Sequence, residues 1–147
     1  IPAYEKAGAA AISILTDEAF FAGTLNDLTA VRPLTSLPIL RKDFIIDTYQ
    51  LLQARAAGAD AILLIAACLD RNQCNELTQQ AHELKLEVLL ELHNPDELAY
   101  LDCGADMTGI NNRSLLIGER FMRSERPGEE LRTFIQHLSH LHNASAL

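Results

Sequence analysis

The chain contains no tryptophan, and aromatic residues of all kinds make up only 5% of its 147 residues. Packing must therefore rest on Leu, Ile and Ala, which supply most of the 48% that is apolar. Paired cysteines are lacking as well. Cys68, Cys74 and Cys103 show no CxxC spacing, and an odd number leaves one over in any disulfide scheme. Reduced thiols and a cytoplasmic setting are expected. Basic charge is scarce: 12 Lys and Arg stand against 20 Asp and Glu, a formal charge of −8. A phosphate backbone calls for a basic face, so nucleic acid is not the expected partner. A small anionic substrate held by a few local cations stays open. No apolar run approaches the roughly 18 residues of a membrane span, so no membrane contact is expected. His137, His140 and His142 lie close together but without matching Cys or carboxylate spacing, so no metal site is expected.

What is present is a rhythm. Apolar runs at Ala9 to Leu15, Leu37 to Arg41, Asp60 to Ala67, Glu87 to Leu92 and Asp106 to Ile110 are separated by helical patterns. Pro33 ends a short helix over 26–32, Asp47 caps and Gly58 stops the next, and Asp70 caps a long one through Leu84. Asn94-Pro95 opens another that closes near Cys103-Gly104, while residues 3–7 form a helix stopped by Gly8. Between the first two strands, Thr16-Asp17-Glu18 begins a loop carrying Phe20, Phe21 and Gly23.

This β/α alternation implies parallel strands with right-handed crossovers, as a doubly wound sheet or a (β/α)8 barrel. A doubly wound nucleotide binder should show a glycine-rich turn after its first strand, and TDEAFFAG is nothing of the kind. A partial (β/α)8 TIM barrel is favoured, with about six of eight strands, because a closed one needs roughly 200–250 residues. The alternation breaks after Asn112-Arg113, where Leu115 to Gly118 follows with no room for a helix. The chain also opens at Ile1-Pro2, already close to a helical pattern, which reads as a piece of something longer.

In such a barrel the strand C-terminal ends carry the site. The polar residues there are Thr16 and Asp17, Lys42 and Asp43, Glu91 and His93, and Asn111, Asn112 and Arg113. Lys42 and Asp43 admit a second reading as a solvated loop. Glu91 alternates with Leu90 and Leu92, so it points either into the barrel mouth or against a helix, and it needs a partner. A lysine and a glutamate facing each other across a mouth suit general acid/base chemistry, the alternative being a buried Lys42 to Glu91 ion pair. Gly118 before Glu119 offers backbone N–H groups to a phosphate.

Taken together, SILTDEAFFAGTLNDL, LPILRKDFIID, AGADAILLIAA, AHEL with EVLLELHN, and GINNRSL resemble indole-3-glycerol-phosphate synthase, a (β/α)8 enzyme of tryptophan biosynthesis. The resemblance runs over residues 4–115, as strands two to six of the family with their helices, in one domain spanning 1–147. Residues 116–141 are similar to the eighth strand and final helix. The family's Glu-x-Lys on the first strand and Glu-Ser-Gly-Ile on the seventh have no counterpart.

The resemblance implies ring closure, decarboxylation and dehydration of 1-(2-carboxyphenylamino)-1-deoxyribulose 5-phosphate, a phosphorylated small molecule, without metal or organic cofactor. It makes Lys42 the general acid and Glu91 the acid/base group assisting dehydration. Asn111 and Arg113 would hold the substrate, and Phe21, Phe44 and Leu64 would bracket its anthranilate ring. Gly118 and Glu119 would mark the phosphate site. The alternative is a catalytically inactive barrel fragment needing a partner chain or the missing segments. Open barrel edges would favour self-association.

Overall fold

The computed structural model describes residues 1–111. They fall in two compact units, residues 1–10 in one and the rest in the other. In the first, α1 (Pro2–Lys6) starts on a proline suited to a first helical turn, and Gly8 follows it in the left-handed region at φ 88°.

The second unit is a five-stranded parallel sheet, β1 (Ile12–Leu15), β2 (Ile39–Lys42), β3 (Ala61–Ile65), β4 (Glu87–Leu92) and β5 (Met107–Ile110), in sequential order. Each neighbouring pair is parallel. Between the strands lie α2 (Glu18–Phe21), α3 (Leu25–Val31), α4 (Thr48–Ala57) and α5 (Arg71–Glu83). Tighter 3-10 turns cover Arg32–Leu34, Ala66–Cys68 and Pro95–Cys103. A sequentially ordered parallel sheet with intervening helices is part of a (β/α)8 barrel.

The helices begin where the sequence places caps. Asp47 and Asp70 each form a full capping box, with Gln50 and Gln73 reaching back, and α4 ends on Gly58 in the left-handed region. Several expectations shift, among them the strand end at Ile65, short of Ala67, and the 3-10 winding of Pro95–Cys103. The first strand starts at Ile12 rather than Ala9, because its pairing begins where the Ile12 N–H donates to the Pro38 carbonyl. The loop expected to carry Phe20 and Phe21 holds the short helix α2, nucleated by the Asp17 carboxylate accepting from the Phe20 N–H at 2.7 Å.

Strand register sorts the side chains by face. Ile39, Ile62, Leu64, Val88, Leu90 and Leu92 join Leu51, Ala54, Leu77 and Ala81 of the helices in one core. The opposite, concave face carries Leu15, Lys42, Leu63, Leu89, Glu91 and Gly109, as the pairings Leu15 with Lys42, Leu63 with Leu89 and Glu91 with Gly109 require.

The connection after β1 is pinned by Gly23. A Cβ there would meet the Leu15 carbonyl oxygen at 2.2 Å, and the Gly23 N–H donates to Asp17 O at 3.0 Å. Gly23→Ala is expected to lower stability by about 2 kcal/mol or more, since backbone on both sides must shift. A urea midpoint equal to that of the parent chain would show that the loop yields freely.

Asp106, just before β5, accepts from His82 Nε2 at 2.9 Å and from the Val88 N–H at 2.8 Å. The His82 hydrogen bond first, then that of Val88, holds its carboxyl below the usual range. Its folded value is depressed, so its contribution to stability is complete above the ordinary carboxylate value, about pH 4, and is lost as pH falls through the lowered one. Asp106→Asn is therefore expected to be less stable than the parent at pH 7 and to converge with it in strong acid, as parallel denaturation curves across pH would reveal.

Candidate active site

The tip of β2 divides its charges between two faces. Arg41 and Asp43 turn to the helix side, where they form an ion pair at 2.8 Å with side chains only 5% and 9% exposed. The Thr16 hydroxyl donates to Asp43 Oδ2 at 2.6 Å and accepts from Arg41 Nε at 3.0 Å. Arg41 also donates to the Gln50 carbonyl at 2.7 Å, and Asp43 Oδ1 accepts from the Phe44 N–H at 2.8 Å. Thr16 and Asp43 are thus committed to the scaffold, as Asp17 is to capping α2. Neither the solvated-loop reading of Asp43 nor a chemical role fits this buried network.

Lys42 occupies the concave side of the same tip and is half-buried. Among the described residues it makes no ion pair, so the Lys42 to Glu91 pair weighed from the sequence does not form. By register Lys42 lies level with Leu63, and Glu91 one alternation higher on β4. Two strand spacings, about 10 Å, separate them across the sheet.

Glu91 points to the concave face, resolving the choice its alternation with leucines left open. Its side chain is 15% exposed, and Oε1 accepts from Asn111 Nδ2 at 3.0 Å and lies 3.2 Å from His93 Nε2. Asn111 sits immediately after β5, placed by its N–H donating to the Leu92 carbonyl. Cys68, at the end of the turn after β3, has its thiol pushed up by partial burial, then by the charges of Glu91 and Glu97. All three cysteines are free thiols.

The aromatic residues assemble beyond the ends of β1 and β2. Phe44 stacks on Phe21 with centroids 6.4 Å apart and meets Phe20 edge-on at 5.6 Å. Phe20 and Phe21 remain 76% and 48% exposed, unusual for phenylalanine and apt for a surface that receives an apolar ring.

Leu64 does not join them. It is fully buried in the core between sheet and helices, on the opposite face from Lys42 and Glu91. Strand alternation puts Leu63 on the concave side instead. Arg113, Gly118, Glu119 and the expected final strand and helix over 116–141 lie outside the described residues.

A parallel β/α sheet that presents a lysine, a carboxylate and an amide from the ends of β2, β4 and β5 on one concave face defines an enzyme scaffold of the (β/α)8 barrel class. Residues 2–117 match the family model of Indole-3-glycerol phosphate synthase. The chain belongs to that family, a group of lyases in tryptophan biosynthesis.

Among relatives named indole-3-glycerol phosphate synthase, that of Bacteroides thetaiotaomicron is 44% identical over 182 aligned positions, covering 92% of this chain and 70% of the relative. That of Rhodopirellula baltica is 58% identical over 113 positions, 76% of this chain and 44% of its own length. That of Polynucleobacter asymbioticus is 54% identical over 113 positions, 76% of this chain and 42% of its own. The last two alignments thus span less than half of each relative. The 182-position alignment exceeds the chain's 147 residues, so the Bacteroides relative carries stretches with no counterpart here. Among the described residues no helix is long and apolar enough to cross a membrane.

Proposed function

We propose that this chain carries the part of an indole-3-glycerol-phosphate synthase site contributed by strands two to six of the barrel, with β1 to β5 in those places. The substrate is 1-(2-carboxyphenylamino)-1-deoxyribulose 5-phosphate. Lys42 donates a proton to the ribulose carbonyl oxygen as the aromatic ring carbon attacks the carbonyl carbon, forming the carbon–carbon bond and leaving a hydroxyl. Loss of CO2 from the ring restores electrons to it, and Glu91 moves the proton that accompanies departure of the hydroxyl as water. Phe21 and Phe44 flank the aromatic ring, with Leu63 as the apolar wall on the concave face in place of Leu64. Asn111 orients Glu91, and Arg113 meets the substrate's carboxylate or hydroxyls. Gly118 and Glu119 mark the phosphate end.

The observation that carries this reading is the shared face of Lys42, Glu91 and Asn111, with about two strand spacings between the first two. Residues 116–141 stand for the eighth strand and closing helix, a reading that the gapped alignment supports. Among the described residues β1 and β5 each pair on one side only, which supports self-association through those edges. The free thiols of Cys68, Cys74 and Cys103 support a cytoplasmic setting. Formation of indole-3-glycerol phosphate by the purified chain, compared with its Lys42→Ala variant, tests the proposal. A folded chain without turnover, or turnover indifferent to Lys42, overturns it.

A further inference from the structure

The Glu91 carboxylate is met from two sides at a single oxygen, by a hydrogen bond from Asn111 and by the nearby imidazole of His93. Oε1 meets both Asn111 Nδ2 at 3.0 Å and His93 Nε2 at 3.2 Å. Oε2 has no hydrogen-bond donor among the described residues, and it is the oxygen left for proton exchange. The histidine is itself anchored. Its backbone N–H donates to Glu97 Oε2 at 2.7 Å, and its Nδ1 lies 4.0 Å from the same oxygen. Glu97 is 9% exposed, and its other oxygen accepts from Asn94 Nδ2 at 2.8 Å. An anchored carboxylate thus holds the His93 backbone, and the imidazole lies against the carboxylate assigned to the reaction.

A glutamate has three rotatable side-chain bonds, and an unrestrained one at a strand end samples several rotamers. Asn111 alone fixes a distance to Oε1 but not the plane of the carboxylate. Two contacts, from just beyond β5 and just beyond β4, locate that oxygen and narrow the orientations left to the plane.

We propose that His93 is a positioning residue for Glu91, setting the carboxylate plane so that Oε2 faces the concave site, with Glu97, itself held by Asn94, bracing the His93 backbone. The inference rests on the acid/base reading of Glu91 given above. It predicts that His93→Ala shifts the side-chain amide signal of Asn111 in the nitrogen-15 spectrum, because the shared acceptor moves. His93→Gln, whose side-chain N–H reaches a similar point, restores that signal.

In turnover assays His93→Ala is expected to lower kcat by about 10- to 100-fold with KM little changed, the cost of a misaimed group, and His93→Gln is expected to recover most of it. An Asn111 signal indifferent to His93→Ala overturns the inference whatever the turnover. So does a kcat loss that His93→Gln fails to rescue. If the folded parent chain shows no turnover, the acid/base reading fails and the Asn111 signal alone decides whether His93 positions Glu91.

Discussion

Replacing Asp43 with alanine is expected to cost about 3–5 kcal/mol of folding stability, the range for removing one partner of a buried ion pair. The reason is what remains. Arg41, 5% exposed, would keep its guanidinium under the sheet with only the Thr16 hydroxyl and the Gln50 carbonyl as acceptors. The Thr16 hydroxyl would lose its acceptor, and the Phe44 N–H its partner. Against the roughly 5–15 kcal/mol typical of a domain, such a loss leaves a large unfolded fraction at ordinary temperature. Asp43→Asn keeps one acceptor oxygen in place of two and should lose less. Urea denaturation of the three chains measures the series. A change under about half a kcal/mol for Asp43→Ala would mean that the network is ornamental.

The second large effect concerns chemistry rather than folding. Lys42→Ala and Glu91→Gln are each expected to lower indole-3-glycerol phosphate formation by about 10²- to 10⁴-fold, the usual worth of a positioned general acid or base. Lys42 makes no ion pair among the described residues, so its removal should leave the urea midpoint near that of the parent. The Glu91→Gln side chain can still accept from Asn111. Activity and stability should therefore separate at Lys42 and fall together at Asp43. A Lys42→Ala chain with undiminished turnover would exclude it as the acid.

Much of the architecture was legible because its signals are local. The strand over 87–92 has the same bounds in sequence and structure, and the boxes at Asp47 and Asp70 need only residues three apart. The long apolar run over 60–67 was harder. A strand covered on both faces has no polar alternation, so nothing in AILLIAA says which leucine faces the helices. Only pairing with β4 assigns Leu63 to one face and Leu64 to the other.

The alanines flanking such runs misled at both ends. They have weak strand preference, and β1 and β3 stop short of them, with Ala66–Cys68 winding tightly instead. At the site, Lys42 and Glu91 stood out by strand-end position. The Glu97 brace did not, because an acidic residue in a helix's first turn reads as ordinary dipole compensation.

The divided tip of β2 has a consequence for how such a chain can change. Alternating positions along four residues answer to different demands, Ile39 and Arg41 to the fold and Leu40 and Lys42 to whatever occupies the concave face. Mutational drift toward a new substrate can proceed at every second residue while the intervening ones stay fixed. A library randomised at positions 40 and 42 should therefore yield mostly folded proteins, and one randomised at 39 and 41 should yield few.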